Sequence, residues 1–561
     1  MLGGRISMKK VLVCIALVLL ALASTMSANA ITMKYRWFYV MNYPLTSDQN
    51  VSEVMQLMKR ASAVGYNGMF FTEFKFLKLD MMDARYFNNV QKVIDEGKKL
   101  GIDVYPEVCP IGASWGLLQH DPNLAEGFPI RDAVFLVKDG KANITQNVKL
   151  ANGGFEETQA NKIVGWDNEG GKSSIDHQSS HSGKQSLCMN ISGQSWIKQP
   201  IKLLPFHLYH LSWWNKAQGA ESADINVEVH AADGRNLAWP SMDDSKHSKN
   251  WTKFEVAFNS FDNTDATIVM GIWHGQSGKL WWDDIQLEDV GLMNVLRRDG
   301  CPLVVKGEDG TIYKEGREFD YVTDPKLLAT PGVYDDYHIP PSIVPLPGSP
   351  IKEGQRLLVS YYSTFPTTHH KEVTACISHP EVYALLNDEI NRVNTLVHPK
   401  GFVMGHDEIR TGNWCALCQD RHMTPGQELA DNVSRCTAII KKTNPDATAF
   451  VWSDMFDPNH NAKDTPNYYL VNGTYKGSWE GLSKDVVILN WNQAVAESLN
   501  FFAKRGNSQI LMGYYDDSTN TYMKRWLEQA KDTPNVVGVC YTTWEKNYKD
   551  LESFAKAAWG N

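Results

Sequence analysis

Strand-like and helix-like segments alternate along two stretches of this chain of 561 residues. In the first stretch, apolar runs such as YRWFYVM (Tyr35–Met41) and GIDVYPEV (101–108) flank segments whose apolar residues recur at helical spacing, for example over 50–63. The same alternation resumes after about residue 365. Alternation of this kind predicts βα units that build a parallel sheet.

The number of strands limits the fold further. Three strand-like runs precede the interruption and five follow it, which is the strand count of a (β/α)8 barrel, the TIM barrel. A ninth run, LLVSYYS (357–363), is assigned to the interruption, where short alternating strands separated by Gly, Ser, Asn and Asp predict an all-β sandwich or jelly roll. The predicted domains are the barrel at 31–142 and 365–561, the inserted β-sandwich at 143–290, and an irregular connecting segment at 291–364.

The N-terminus has the layout of a secretory signal. Lys9 and Lys10 precede an apolar run over 11–23, and Ala28-Asn29-Ala30 forms an A-x-A cleavage pattern. We therefore expect residues 1–30 to be a signal peptide and the protein to be secreted or periplasmic. Later apolar runs are shorter than the roughly 18 residues that indicate a membrane span, and the formal charge of −9 disfavours nucleic acid as a partner.

Nine cysteines occur in the sequence, and Cys14 lies in the predicted signal peptide. Export would permit disulfide bonds among the others, but their spacing does not define the pairing. The closest two form Cys415-Ala-Leu-Cys418. A disulfide staple of this loop is favoured over half of a zinc site, because no second C-x-x-C or H-x-x-x-H pattern follows.

The carboxyl ends of the predicted barrel strands carry aromatic and acidic side chains. In TIM-barrel enzymes this edge holds the active site. A single Trp on a strand is usually a core residue and a single Asp at a strand end usually caps the next helix, but repetition on six strands favours a sugar pocket with aromatic walls. The candidates are Glu107 on strand three, His406, Asp407 and Glu408 on strand four, Trp452 on strand five, Trp491 on strand six, Tyr514, Tyr515 and Asp516 on strand seven, and Trp544 and Glu545 on strand eight.

Asp407 and Glu408 are consecutive, and this adjacency limits the mechanism. Glycosidic cleavage usually requires two carboxyl groups that flank the bond, which neighbouring residues cannot easily do from opposite sides. A sugar with a 2-acetamido group can supply its own nucleophile, the acetamido oxygen. One acid for the leaving oxygen and one carboxylate for the acetamido N–H are then sufficient, and a neighbouring pair can provide both.

The sequence GHDE (405–408) resembles the Asp-Glu pair of the family 20 glycoside hydrolases, the β-N-acetylhexosaminidases. The resemblance implies a retaining, substrate-assisted exo-glycosidase that removes terminal β-linked GlcNAc or GalNAc from an oligosaccharide or glycan. The sequence has no phosphate-binding Gly-rich loop and no metal-site motif for the active site, so we expect catalysis without a cofactor. The resemblance also implies that Glu408 is the general acid and base and that Asp407 orients the acetamido group. The remaining implied sugar contacts are the walls Trp452, Trp491 and Trp544, a Tyr-x-Asp motif read as Tyr514 with Asp516 or as Tyr515 with Asp517, and Glu107. His406 and Glu545 depart from the family pattern and are candidate sugar contacts by their positions at the strand ends.

The insert resembles the β-sandwich carbohydrate-binding modules that accompany glycosidases. The resemblance rests on NGGFEE (152–157), SGKQSL (182–187) and the closing WWDDIQLE (281–288). Modules of this shape often hold one structural calcium ion, for which Glu156 and Asp284 are candidate oxygen ligands. The candidates for a sugar-stacking surface are Trp196, Trp214, Trp239 and Trp273.

Two alternatives remain open at this point. One is a retaining glycosidase of another type, which uses Glu408 as the acid and a carboxylate such as Glu545 or Asp516 as the nucleophile on sugars without a 2-acetamido group. The other is a sugar-binding protein that keeps the barrel pocket but catalyses no reaction. The sequence does not distinguish GlcNAc from GalNAc, and it does not define the linkage or the oligomeric state.

Overall fold

The computed structural model of the protein describes residues 33–159, 162–368, 370–466, 468–492 and 494–560, so that the predicted signal peptide at 1–30 lies outside the described residues. Eight parallel strands close into a barrel in chain order, as the alternation predicts. These strands are β1 (Tyr35–Met41), β2 (Gly68–Thr72), β3 (Asp103–Val108), β4 (Gly401–Met404), β5 (Thr448–Trp452), β6 (Val487–Asn490), β7 (Gln509–Tyr514) and β8 (Val536–Thr542).

Amphipathic helices cover the outside of the barrel. They are α1 (Asp48–Ala63), α2 (Ala84–Leu100), α3 (Pro380–Val397), α4 (Pro425–Thr443), α5 (Ala496–Arg505), α6 (Thr521–Ala530) and α7 (Leu551–Trp559). Local sequence defines their ends: Thr424 and Gln427, for example, form a capping box at the start of α4. The buried faces of these helices and the outer faces of the strands share one large apolar core.

Aromatic rings fill much of the barrel interior, which forms a separate core. The ring of Trp37 on β1 is fully buried, and its centroid lies 4.1 Å from that of Tyr105 and 4.8 Å from that of Phe450. Gly68 on β2 makes room for this ring, because a Cβ atom at Gly68 would lie 2.3 Å from Nε1 of Trp37. The ring of Trp37 therefore requires a glycine at position 68.

The insert between β3 and β4 contains an antiparallel β-sandwich, as predicted. Each of its two sheets has five strands, and their inner faces share an apolar core. In spatial order, the first sheet consists of Thr252–Asn259, Leu208–Gln218, Lys279–Val290, Ser186–Asn190 and Ser173–Asp176, and the second of Asn236–Ala238, Asp224–Ala231, Asp265–His274, Ser195–Lys202 and Asp167–Glu169.

A third antiparallel sheet corrects the predicted boundaries. Its strands are Ile312–Tyr313, Val304–Gly307, Arg356–Ser363, Phe128–Lys138 and Lys141–Ile144. The segment 291–364 therefore contributes three strands and is not simply irregular, and the last residues of 31–142 belong to this sheet and not to the barrel. The run LLVSYYS lies outside the barrel, as assigned, because it pairs with Phe128–Lys138.

The insert packs against the barrel at its carboxyl edge. The apolar core of the sandwich and the third sheet also contains Trp414 and Leu470, which come from loops after β4 and β5. The ring centroids of Trp414 and Phe261 are 4.4 Å apart. The two domains therefore share a core next to the ends of the strands. Among the helices in the described part of the chain, none has the length and apolar character needed to cross a membrane.

Candidate active site

Asp407 and Glu408 follow the carboxyl end of β4, and both side chains are half-buried. His406 points in a different direction. It is fully buried, and its Nε2 lies 2.7 Å from Oδ1 of Asn432 on α4. Because successive side chains at a strand end point to opposite sides, His406 lies between the barrel and α4, and its position does not allow the predicted sugar contact.

The carboxylate of Glu408 forms an ion pair with Arg410, whose Nη2 lies 2.6 Å from its Oε2. The other terminal nitrogen of Arg410 binds Glu372, which comes from the end of the insert. Burial raises the pKa of Glu408 to about 7; the Arg410 guanidinium lowers this pKa, and the carboxylates of Asp454 and Glu372 raise it. A carboxyl group with this pKa can donate a proton near neutral pH.

Asp407 lies close to Glu107, which the sequence placed at the end of β3. Burial and the nearby carboxylates of Glu107, Asp454 and Glu408 raise the pKa of Asp407 well above its usual range. Burial also raises the pKa of Glu107 to about 7. Gly405 leaves room for the carboxyl group of Glu107, because a Cβ atom at Gly405 would lie 2.5 Å from Oε1 of Glu107. The site thus contains a cluster of carboxyl groups that do not all ionise readily, because each negative charge raises the pKa of its neighbours.

Asp454 holds this cluster together from the end of β5. Its fully buried carboxylate accepts the backbone N–H of Glu408 at 2.9 Å, Nδ2 of Asn461 at 2.9 Å and Nε1 of Trp491 at 3.0 Å. Glu408 has a φ of +44°, a left-handed conformation that is uncommon for a residue with a side chain. The hydrogen bond from the Glu408 N–H to Asp454 stabilises that conformation and so positions the Glu408 carboxyl group.

Three tryptophans from different strands form one cluster beside the acids. The ring centroids of Trp452 and Trp544 are 5.7 Å apart, those of Trp491 and Trp544 are 6.1 Å apart, and those of Trp452 and Trp491 are 6.2 Å apart. The ring of Tyr39 on β1 lies 5.4 Å from that of Trp544. Trp452 is buried, while Trp491 and Trp544 are half-buried and are the accessible rings of the cluster.

The end of β7 separates the two predicted tyrosines. The hydroxyl group of Tyr514 donates to Oδ2 of Asp550 at 2.6 Å in the helix layer, so Tyr514 points away from the acids. Tyr515 points toward them: its hydroxyl group donates to the carbonyl of Trp491 at 2.9 Å, and Glu408 is among the groups that, after burial, raise its pKa. Positive φ angles of +85° at Tyr514 and +48° at Tyr515 turn the chain between the two.

The two carboxylates considered as alternative nucleophiles lie at the ends of β7 and β8. Asp516 accepts a hydrogen bond from Oγ1 of Thr543 at 3.1 Å. Glu545 is exposed. The carboxylates that raise the pKa of Glu408 are those of Asp454, which follows β5, and Glu372, at the end of the insert.

Sequence reasoning did not select several residues of this site. Arg410 stands two places after Glu408 in the sequence, and this spacing could have indicated its role, since a cation beside a carboxyl group lowers the pKa of that carboxyl group. Asp454 follows a predicted strand, where a single Asp is typical of a helix cap. Glu372 and Tyr468 lie in irregular segments, and no periodic pattern indicates that they approach Glu408.

The oxygens proposed to bind calcium in the sandwich have protein donors. Oε1 of Glu156 accepts the N–H of Lys184 at 2.7 Å. The carboxylate of Asp284 accepts the hydroxyl group of Ser182 at 2.8 Å, and its other oxygen lies 2.6 Å from Nδ1 of His181. The calcium assignment stays a prediction.

The tryptophans considered for sugar stacking lie on different sheets of the sandwich. Trp196 and Trp273 are half-buried neighbours on one sheet, with centroids 5.4 Å apart. Trp214 lies on the other sheet, stacked on His181 at 3.7 Å. Trp239 lines a small cavity of about 20 Å³ between the sandwich and the barrel loops. Trp196 and Trp273 therefore form the one paired aromatic surface among these four.

Residues 148–278 match the family model of the carbohydrate binding domain CBM_4_9. The β-sandwich of the insert, over 148–278, is a carbohydrate-binding domain. This assignment agrees with its antiparallel sandwich fold, and it makes carbohydrate a partner of the chain. No curated protein shows a significant match to the chain.

Three solved structures are similar to parts of the chain. The Family 16 carbohydrate binding module-2 is 22% identical with a TM-score of 0.20, and the match covers 24% of this chain and 96% of the module. The CBM22-1 xylan-binding domain of Xyn10C from Paenibacillus barcinonensis is 17% identical with a TM-score of 0.21, covering 26% and 96%. A rhamnosidase from Novosphingobium sp. PP1Y is 9% identical with a TM-score of 0.32, covering 92% of this chain and 56% of the rhamnosidase. Similarity at these scores does not identify the activity of the barrel.

Proposed function

We propose that the protein is an exo-acting glycoside hydrolase that removes terminal β-linked N-acetylhexosamine by retaining, substrate-assisted catalysis. The observation that carries the proposal is the position of the acids. Glu408 interacts with Asp407 and Asp454, whereas Asp516 is bonded to Thr543 and Glu545 is exposed. A mechanism with a protein nucleophile requires a second carboxylate across the bond. A substrate that brings its own nucleophile does not.

The proposed reaction assigns one role to each side chain. The acetamido oxygen attacks the anomeric carbon, the glycosidic C–O bond breaks, and the Glu408 carboxyl proton goes to the leaving oxygen. Asp407 accepts the acetamido N–H and stabilises the cyclic cation that results. The Glu408 carboxylate then takes a proton from water, whose oxygen attacks the anomeric carbon and reopens the ring with retained configuration.

The surrounding residues support these two steps. Trp491 and Trp544 supply flat walls for the pyranose and acetamido groups. Tyr515 can donate its hydroxyl group to the acetamido oxygen once it leaves the carbonyl of Trp491. Glu107, whose pKa is raised to about 7, can hold a proton beside Asp407 and so allow Asp407 to ionise. Export of the protein, inferred from the pattern at 9–30, is part of the proposal.

A panel of aryl β-glycosides that differ only at carbon 2 and carbon 4 tests the proposal. We expect turnover only of 2-acetamido sugars, and inhibition by a thiazoline that mimics the cyclic intermediate. The substituent at carbon 4 then separates GlcNAc from GalNAc. Turnover of sugars with a plain 2-hydroxyl group, together with a trapped ester on the enzyme, would replace the proposal by a protein nucleophile. Binding without turnover of any sugar would reject catalysis.

Two variants test the assigned roles. Glu408→Gln should lower kcat/KM on substrates with poor leaving groups by about 10²- to 10⁴-fold, and by much less on activated aryl glycosides that need no proton. Asp407→Asn should lower kcat by about 10²-fold or more on both. The control is Glu53→Gln on α1, remote from the site. An equal loss on both substrate types in Glu408→Gln, or near-normal turnover in Asp407→Asn, contradicts the scheme.

A further inference from the structure

Four buried side chains that the proposed reaction does not use meet at one point. They are Glu126, Cys376, Cys415 and Cys418, and their sulfur and oxygen atoms all lie within 4.8 Å of one another. They come from three distant segments. Glu126 precedes the third sheet and the sandwich, Cys376 follows them on the return to the barrel, and Cys415 and Cys418 lie in the loop after Glu408.

The sulfur atoms have the spacing of metal ligands and not of a disulfide. Cys376 and Cys415 are 3.6 Å apart, Cys376 and Cys418 are 3.7 Å apart, and Cys415 and Cys418 are 3.5 Å apart. All three are free thiols, so the predicted Cys415–Cys418 staple is not formed, and a disulfide would require about 2.05 Å. Zn–S bonds of about 2.3 Å in a tetrahedron place the sulfurs about 3.8 Å apart.

Glu126 completes the tetrahedron. One of its oxygens, Oε1, accepts the backbone N–H groups of Trp414 at 2.7 Å and Cys415 at 3.0 Å. These bonds fix the carboxyl group and direct Oε2 to the sulfurs, 3.6 Å from Sγ of Cys418. Such outer hydrogen bonds are typical of ligands held for a metal. Cys301 contacts Cys415 but lies outside the group of four.

Arg298 supplies a positive charge beside the cluster. Three thiolates and a carboxylate around Zn²⁺ have a net charge of −2. The guanidinium of Arg298 interacts with Cys376, Cys415 and Glu126, and also with Cys301. It is held by the carbonyls of Asn123 at 2.7 Å and Ala125 at 2.8 Å. The Arg298 side chain is half-buried, and its position beside these groups is accounted for if they are ionised together, as metal ligands are.

We propose that Cys376, Cys415, Cys418 and Glu126 bind one Zn²⁺ ion in a closed, structural site. Thiolate sulfur favours zinc over the hard cations calcium and magnesium. All four positions are supplied by protein, which leaves none for a reacting water. The ion links Glu126 and Cys376, at the two ends of the insert, to the loop that follows the acidic pair. It thereby closes a long loop of chain and anchors the carbohydrate-binding domain to the barrel.

The metal content of the full-length protein, purified without chelators, tests the proposal independently of activity. We expect about one zinc ion per chain by inductively coupled plasma mass spectrometry. The variants Cys376→Ser and Cys418→Ser should lose most of their zinc. Cys188→Ala removes a buried thiol from the sandwich and is the matched control, which should keep its zinc. Wild-type protein that holds no zinc after refolding with reductant and zinc, or that shows a Cys415–Cys418 disulfide in unreduced peptides, overturns the site.

Cobalt replacement examines the geometry without relying on variants that fold poorly. Co²⁺ in the wild-type protein should give thiolate-to-cobalt charge-transfer absorption and the intense visible bands of a tetrahedral site. Octahedral bands without charge transfer overturn the proposal. Glu126→Gln should retain the thiolate bands and lose zinc to a competing chelator at least about tenfold more readily. If Cys301→Ser weakens zinc binding and Glu126→Gln does not, the assignment of Glu126 is overturned.

Discussion

Arg410 lies between the carboxylates of Glu408 and Glu372, and it sets the charge at the mouth of the barrel. Arg410→Gln removes the cation that lowers the pKa of Glu408 and leaves Glu372, which raises it. An acid with a higher pKa stays protonated to higher pH. The alkaline limb of kcat/KM, expected near the Glu408 pKa of about 7, should therefore move up by about one pH unit or more.

Initial rates of the Arg410→Gln variant, measured between about pH 4 and 10, give its pH profile of kcat/KM. The limb of the profile that moves shows the protonation state in which Glu408 works. If Glu408 acted as a nucleophile, the acidic limb would move up and the alkaline limb would stay. Arg392→Gln is the control, because Arg392 pairs with Asp388 on the surface of α3 and lies away from the strand ends. Its profile should match that of the wild type.

At the scale of single residues, the sequence identifies an acid when its position in a strand reveals it. Asp407 and Glu408 interrupt an apolar run, and Trp452 ends a strand, so the positions of all three residues could be predicted. Direction was harder to predict. His406 and Tyr514 stand beside pocket residues in the sequence but point into the helix layer. Three consecutive left-handed residues at 514–516 set the direction at β7, and nothing in their residue types indicates that conformation.

At the scale of elements, β1 and β2 depend on one close contact. Gly68→Ala would place a methyl group 2.3 Å from Nε1 of Trp37, inside a ring cluster that cannot move aside. We expect a loss of stability of about 1–3 kcal/mol, measured as a lower thermal midpoint or denaturant midpoint. Trp37→Phe in the same chain should restore part of it, since the smaller ring leaves room and Nε1 of Trp37 has no hydrogen-bond partner.

The double-mutant cycle separates overpacking from a general effect of the substitution. Additive losses in Gly68→Ala and Trp37→Phe would show that the contact does not determine stability. A positive coupling energy would show that Gly68 is required by the ring of Trp37 and not by the backbone of β2.

Periodicity predicts the barrel strands but not the third sheet. The strand Phe128–Lys138 falls inside the predicted barrel range and is not predicted as a strand, and LLVSYYS is predicted as a strand without a partner, although the two segments pair directly in the third sheet. Both alternate buried and exposed residues over much of their length, as half-buried strands do. Their contact spans more than two hundred residues of sequence, and no local signal carries such a pairing. The barrel was predictable because its neighbours are consecutive.

At the scale of the whole molecule, the carbohydrate-binding domain and the barrel should contribute separately to the use of a polymer. Trp273→Ala removes half of the paired surface of Trp196 and Trp273. We expect binding of the full-length protein to insoluble polysaccharide to weaken about tenfold, and turnover of small aryl glycosides to stay unchanged. Pull-down assays and initial rates measure the two effects.

The control for this prediction is Trp214→Ala on the opposite sheet, which removes a ring of the same size. It should leave polysaccharide binding at the wild-type level. If Trp214→Ala weakens binding and Trp273→Ala does not, the sugar surface lies on the other sheet of the sandwich.

The position of the insert also affects synthesis of the chain. Between β3 and β4 lie the 292 residues of 109–400, which a ribosome needs about 15–60 s to add at about 5–20 residues per second. During that interval three strands of the barrel have been made and β3 lacks its partner, so an unpaired edge is open to wrong pairing. The carbohydrate-binding domain has time to fold first. Glu107 and the pair Asp407–Glu408 thus belong to halves made at different times, and the carboxylate cluster assembles only when the late half joins the early one.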